Sequence, residues 1–106
     1  MNDYLDGFQQ ADQKILDLLA PKQNEFESIL DLGCGDGELT YKIAEACADV
    51  RVIGLDSESS EIQKAHNNRQ NYHLSESSNI RFEEMDATQL SFTEEFDAVV
   101  SHRLIQ

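Results

Sequence analysis

Basic residues are scarce in this sequence of 106 residues: eight Lys and Arg stand against 21 Asp and Glu, which gives a formal charge of −13 at pH 7. A negative charge of this size repels phosphate backbones and anionic lipid headgroups. The charge therefore argues against nucleic acid and against a membrane surface as partners. A neutral or cationic ligand is compatible with it.

Cysteines and long apolar runs are also few. The two cysteines, Cys34 and Cys47, belong to no C-x-x-C pair and to no Cys/His cluster, which argues against a disulfide scaffold and predicts no metal site. Free cysteines suit a reducing compartment. No apolar run approaches the length of a membrane span, and the first residues lack the basic-then-apolar order of a signal peptide. We therefore expect a cytoplasmic protein.

Stretches with helical spacing alternate with short apolar runs along the chain, whose length fits one domain or part of one. The first helical stretch covers residues 3–20 and ends at Pro21, a usual stop signal. This alternation is typical of an α/β fold with a doubly wound, Rossmann-like parallel sheet. Strands are predicted at residues 28–32, 51–56, 80–83 and 96–101. The third of these is expected nearer a sheet edge, and the fourth is apolar enough to be covered on both faces. A second helix starts near Leu39, and Ser57 is the predicted N-cap of a third helix that ends near residue 69.

Three glycines at alternate positions, Gly33, Gly35 and Gly37, join the first strand to the next helix. Glycine adopts positive φ and carries no Cβ, so such a turn lets backbone N–H groups approach a ligand at a helix N-terminus. A dinucleotide-binding turn needs its third glycine at position 38, where this chain has Glu38. The spacing therefore disfavours a nicotinamide dinucleotide.

Three aspartates follow or end the predicted strands near this turn. Asp31 lies two residues before the first glycine, inside an apolar run where a purely structural carboxylate is costly to bury, so a ligand role is favoured. Asp56 ends the second strand, where a carboxylate accepts ribose hydroxyls in related folds; capping the next helix is the alternative. Asp86 follows the third strand and is suited to an adenine amino group, with a solvated loop residue as the alternative.

Four segments, I-L-D-L-G-C-G-D-G, V-I-G-L-D-S, E-M-D-A and F-D-A-V-V-S, occur in the order and at the spacing of one family. Over residues 28–101 the chain resembles the class I S-adenosylmethionine-dependent methyltransferases. The resemblance implies this cofactor and a methyl-transfer reaction. It also implies a set of cofactor-binding positions: Asp31, Gly33, Cys34, Gly35, Gly37, Asp56, Ser57, Asp86, Ala87 and Ser101.

The residues after the fourth strand bear on the acceptor. His102 stands where donor and substrate meet in this family, which makes it the candidate general base; a surface histidine is the alternative. The stretch from Ser101 to Leu104 lacks the proline-containing motif of amine-directed DNA methyltransferases, and the chain lacks the Pro-Cys pair of cytosine-carbon methyltransferases. Together with the charge, these absences favour a small-molecule acceptor.

The family's sheet usually has seven strands, whereas four are predicted here. We therefore expect residues 1–106 to form a single, partial cofactor-binding domain, truncated after the fourth strand, in which residues 1–21 form a helix that packs on or over the cofactor site. The edge of the fourth strand is then open to self-association or to a partner. Two alternatives stay open: a non-catalytic binding or interaction module of the same fold, and an NAD-dependent oxidoreductase.

Overall fold

Four parallel strands form a single sheet in the computed structural model, which describes residues 7–75, 78–85 and 96–101, with the backbone alone for residues 7–11. The strands are β1 (Ser28–Leu32), β2 (Arg51–Asp56), β3 (Asn79–Glu84) and β4 (Ala98–Val100); the helices are α1 (Gly7–Leu19), α2 (Glu38–Ala46) and α3 (Ser59–Asn67), with 3₁₀ segments at Ala20–Glu25 and Asn68–Asn71. The strand order is β3-β2-β1-β4. The predicted Rossmann-like parallel sheet is confirmed, with four strands in this part of the chain.

The strand predictions differ in accuracy. β1 and β2 begin and end where the sequence predicts, and β3 extends the predicted residues 80–83 by one residue at each end. β3 lies at the sheet edge, as its less apolar sequence indicates. β4 is only three residues long, whereas the sequence predicts a strand over residues 96–101.

The side chain of Asp97 fastens β4 to the start of β1. Its Oδ2 accepts hydrogen bonds from the backbone N–H groups of Glu27 at 2.6 Å and Ser28 at 3.1 Å. The Asp97 N–H in turn donates to the Ser28 carbonyl at 3.0 Å. These bonds fix the register in which Ile29 pairs with Ala98.

The prediction that both faces of the fourth strand are covered is wrong. Ala98 and Val100 pack against the main core, but the side chain of Val99 is 43% exposed. Successive side chains of a strand point to opposite faces, so Val99 faces the other side of the sheet from its neighbours.

The main core lies on the face of the sheet that carries Ile29 and Val52, beneath α1 and α2. The buried residues of this core are Leu19, Ile29, Leu39, Ile43, Ala44, Cys47, Val50 and Val52. Burial in this core raises the pKa of the Cys47 thiol. A second cluster joins α2, α3 and β3 and consists of Cys34, Tyr41, Ile62, Ala65 and Phe82.

The ends of the helices follow local chemistry. α1 ends at Leu19, and Pro21 lies in the first turn of the 3₁₀ segment that follows, as the stop signal predicts. The prediction that Ser57 caps α3 is wrong: Glu58 holds the cap position and makes no side-chain cap bond. The Glu58 N–H donates a hydrogen bond to Oδ1 of Asp56 at 2.9 Å. α3 also ends at Asn67 and continues as a 3₁₀ turn to Asn71.

Within residues 7–75, 78–85 and 96–101, every helix is too short or too polar to cross a membrane.

Candidate functional site

The turn between β1 and α2, residues 33–37, lies at the carboxyl ends of the strands, beside the point where the strand order changes direction between β1 and β4. Ligands of open α/β sheets bind in the crevice at such a point. The N–H groups of Gly33 and Cys34 both donate to the Leu55 carbonyl of β2, at 2.8 and 2.9 Å, and the Gly37 N–H donates to the Cys34 carbonyl at 3.1 Å. The turn is therefore fastened to the second strand.

Gly33, Gly35 and Gly37 have φ values of 76°, 57° and 88° and are the positive-φ residues of the described part of the chain. Gly37 has an additional packing reason, because a Cβ there would lie 2.9 Å from Cζ of Phe82. This close contact gives Gly37 a structural role, whereas the resemblance implies a place in the cofactor site.

Gly54 is a glycine whose role the sequence pattern did not reveal. It pairs with Phe82 across β2 and β3, and a Cβ at this position would lie 2.8 Å from Cδ1 of Phe82 and 3.0 Å from Cβ and Sγ of Cys34. Gly54 therefore makes room for the Cys34 side chain, which is 2% exposed. The Cys34 side chain is therefore a packing group of the second cluster.

Asp56 connects three loops at this edge. Its Oδ2 accepts a hydrogen bond from the Gly35 N–H at 2.8 Å, and its Oδ1 accepts from the Glu58 N–H at 2.9 Å. Its backbone carbonyl accepts from the Met85 N–H at 2.9 Å. The carboxylate thus contacts both the glycine turn and the residue that precedes α3. The ligand role of Asp56 stays a prediction.

Asp31 lies under the turn in the middle of the sheet, paired with Gly54 on one side and Val100 on the other. Its side chain is fully buried, and its Oδ2 accepts a hydrogen bond from the Thr40 hydroxyl of α2 at 2.6 Å. Thr40 is a second residue that sequence reasoning missed. The hydroxyl and the acid are nine positions apart on either side of the turn, and no local spacing rule connects them.

The other predicted positions are distributed as follows. Ser57 is exposed beside Asp56. Ser101 follows β4, and its buried hydroxyl oxygen has no hydrogen-bond partner in the described part of the chain. Asp86, Ala87 and His102 lie outside the described residues.

Charged groups beside the turn link α1 to α2. The Lys42 Nζ lies 3.3 Å from Oε1 of Glu38, in the first turn of α2, and 3.7 Å from Oδ2 of Asp12 in α1. The Asp12 residue is 1% exposed, so this pair brings the N-terminal helix next to the helix that begins at the glycine turn.

Two tyrosines beneath the turn form a stack. The rings of Tyr41 and Tyr72 lie 4.5 Å apart with an interplanar angle of 13°. Burial raises the pKa of both, and burial together with the carboxylates of Glu38, Asp36 and Glu45 raises the pKa of Tyr72 to about 12. Both side chains are therefore neutral at physiological pH and act as packing groups. The Tyr41 hydroxyl donates to the Ala65 carbonyl, which ties α2 to α3.

Comparison with known proteins agrees with this geometry. A family model described as a methyltransferase domain matches residues 23–106. The chain belongs to the class I S-adenosylmethionine-dependent methyltransferases. S-adenosylmethionine is the cofactor of this family. Membership favours the methyltransferase over the NAD-dependent oxidoreductase that the sequence left open.

Three relatives illustrate the likeness. Trans-aconitate 2-methyltransferase of Deinococcus radiodurans is 32% identical over 96 residues, which cover 91% of this chain and 33% of that protein. A putative methyltransferase of Invertebrate iridescent virus 6 is 34% identical over 91 residues, 86% of this chain and 31% of that protein. The crystal structure of magnesium protoporphyrin IX methyltransferase from Synechocystis PCC 6803, with bound S-adenosylhomocysteine, superposes with a TM-score of 0.74 at 26% identity and covers 90% of this chain and 42% of that one.

This methyltransferase chain spans about a third of the length of the curated relatives it matches.

Proposed function

We propose that this chain binds S-adenosylmethionine over the glycine turn and serves a methyltransferase that acts on a small-molecule acceptor. The observation that carries the proposal is the contact between the Asp56 carboxylate and the Gly35 N–H at 2.8 Å. It brings a hydrogen-bond acceptor for ribose hydroxyls to a turn whose glycines leave the backbone open to a ligand.

Three features support the fit of the cofactor to these residues. Gly33 and Gly35 present backbone without side chains, Asp56 offers carboxylate oxygens, and the buried hydroxyl of Ser101 lacks a partner among the described residues that a ligand group would supply. A buried polar atom without a partner is unfavourable, so a ligand that bonds to it gains affinity. Asp86 and Ala87 remain predicted adenine-binding residues.

The chemistry asks little of the protein beyond binding and orientation. When bound, S-adenosylmethionine supplies a methyl group on a sulfonium centre for in-line displacement. Asp31 and Asp56 provide negative charge suited to a ligand that carries a sulfonium and an ammonium, and the glycine turn fixes the ligand relative to the sheet. Alignment of donor and acceptor accounts for much of the rate of such a reaction. The role of His102 as general base stays a prediction.

The N-terminal helix is proposed to pack on or over the cofactor site. The contacts of Lys42 with Asp12 of α1 and with Glu38 of α2 support this arrangement, because Glu38 directly follows the glycine turn. α1 also packs against the main core through Ile15, Leu16 and Leu19. Its position therefore depends on the same elements that hold the turn.

The small-molecule acceptor is supported by charge and by relatives. The formal charge of −13 disfavours nucleic acid. Trans-aconitate and magnesium protoporphyrin IX, named in two relatives, are both small molecules. These two names guide the proposed class of acceptor. We also propose that the protein is cytoplasmic.

The test is a calorimetric titration of the chain with S-adenosylmethionine, S-adenosylhomocysteine and NAD, followed by turnover of labelled donor with a panel of small acceptors. We expect both sulfur ligands to bind and NAD to bind more weakly than either. Tighter binding of NAD would overturn the proposal. Cofactor binding without turnover on any acceptor would favour a non-catalytic module of the same fold.

A further inference from the structure

A buried pair of polar side chains crosses the glycine turn from below. Asp31 is the fourth residue of β1 and Thr40 is the third residue of α2. The Thr40 Oγ1 donates to the Asp31 Oδ2 at 2.6 Å, and both residues are 0% exposed. The turn that we propose as the cofactor site therefore has a hydrogen-bonded carboxylate directly beneath it.

This use of a helical threonine needs an explanation. A threonine in a helix commonly bonds to a carbonyl of its own preceding turn, whereas here the hydroxyl is directed to β1. A hydrogen bond to a carboxylate is short and about twice as strong as a bond between neutral groups. The Thr40 hydroxyl is a strong donor to one carboxylate oxygen, so it favours one orientation of the Asp31 carboxylate.

The position of Asp31 relative to the turn gives that orientation a consequence. Side chains two residues apart on a strand point to the same face, so Asp31 lies on the face of Ile29, against α2, and it precedes the first turn glycine, Gly33, by two residues. A buried charge is screened less by salt and water than an exposed one. An oriented carboxylate at this place attracts the cationic end of a ligand in the turn.

We propose that Thr40 is a positioning residue that orients Asp31 and thereby gives the site its preference for ligands with an ammonium group. The proposal rests on the proposed function, since it concerns the same cofactor site. The Thr40 hydroxyl thereby influences which ligands bind, although it acts through Asp31 and does not contact the ligand.

The experiment compares two ligands that differ at one end. S-adenosylhomocysteine carries the amino-acid group, and 5′-methylthioadenosine has the same thioadenosine without it. Thr40→Val removes the hydroxyl and keeps the branched shape, and Thr40→Ser keeps the hydroxyl. We expect Thr40→Val to weaken S-adenosylhomocysteine about tenfold, the effect of losing one hydrogen bond of ordinary strength, and to change methylthioadenosine binding less than about twofold. Thr40→Ser should restore the preference.

Tyr41→Phe is the matched control, because it removes another buried hydroxyl of α2 whose partner is the Ala65 carbonyl and not Asp31. It should leave the ratio of the two affinities unchanged. Should Thr40→Val fail to fold, Thr40→Ala removes the same hydroxyl, and Asp31→Asn, which removes the charge and keeps the shape, should show the same loss of preference.

The outcomes separate the inference from the function on which it rests. Wild-type chain that binds neither ligand would refute the proposed function. Wild-type chain that binds S-adenosylhomocysteine, with Thr40→Val weakening both ligands equally or neither, would refute the role of Thr40 alone.

Discussion

The Asp56 carboxylate lies 2.8 Å from the Gly35 N–H, so the end of β2 and the turn after β1 share one hydrogen bond. The same carboxylate accepts a hydrogen bond from the N–H of Glu58, the residue that precedes α3. Stability and ligand binding therefore depend on one side chain, and they must be measured separately when that side chain is changed.

Asp56→Ala is expected to weaken cofactor binding by about 1.5–3 kcal/mol, the range for losing hydrogen bonds to a charged acceptor. The free energy of unfolding should also fall, because two backbone N–H groups lose their acceptor. Calorimetry and urea unfolding measure the two effects. Asp97→Ala is the matched control, since it removes a carboxylate with two backbone donors at the opposite edge of the sheet. A variant at position 56 with lower stability and unchanged affinity would show that Asp56 is a helix cap only.

Gly35→Val is expected to abolish cofactor binding, because a branched side chain fills the space that the ligand needs. The φ of 57° at this position adds strain of about 1–2 kcal/mol for a residue with a Cβ, so the free energy of unfolding should fall as well. Gly35→Asn separates the two effects, since asparagine tolerates a left-handed conformation. It should fold nearly as stably as the wild type and still lose binding; wild-type affinity in this variant would exclude the turn as the site.

Alkaline pH is expected to destabilise the fold through Tyr72. Its pKa is raised from 10.0 to about 12, so the unfolded chain releases the phenol proton at a lower pH than the folded chain does. The stabilisation is complete below pH 10 and is lost as the pH rises toward about 12. Urea unfolding across this interval measures it, and Tyr72→Phe should flatten the dependence. An unchanged slope in that variant would assign the effect to other groups, among them Tyr41.

The outer edge of β4 is expected to mediate self-association of the 106-residue chain or to bind a partner strand. Within the described residues β4 pairs with β1 alone, and the Val99 side chain is 43% exposed. Exposed apolar edges promote strand pairing between molecules, and a charge on the edge opposes it. Sedimentation at micromolar concentration should detect a species larger than the monomer, and Val99→Lys should reduce it. A monomeric wild-type chain would contradict this prediction.

Much of the fold was predictable because its signals are local. β1 and β2 are buried apolar runs that end at a glycine turn and at an aspartate, and Pro21 marks the end of the first helix. The alternating glycines directly predicted the three positive φ values that the turn contains. Family membership likewise followed from ordered short segments.

The remaining features depend on contacts between distant residues. Gly54 needs to be a glycine only because register brings it against Phe82, and Thr40 matters only because α2 folds back over Asp31. The cap of α3 was assigned to Ser57 by residue type, whereas the nearby Asp56 carboxylate bonds to the Glu58 N–H. The prediction that both faces of β4 are covered failed for a similar reason, since apolar composition alone does not specify which elements pack against each face, and Val99 is exposed.

The hydrogen bond that the Glu27 N–H donates to the Asp97 carboxylate joins residues 70 positions apart in the sequence. Closing so long a loop costs more chain entropy than joining β1 to β2, which are separated by one helix. Contacts between distant residues also slow folding. We therefore expect the first three strands to assemble as an early unit and β4 to dock last, so that the Asp97 carboxylate completes the sheet at the end of folding and is among the first groups released when the chain unfolds.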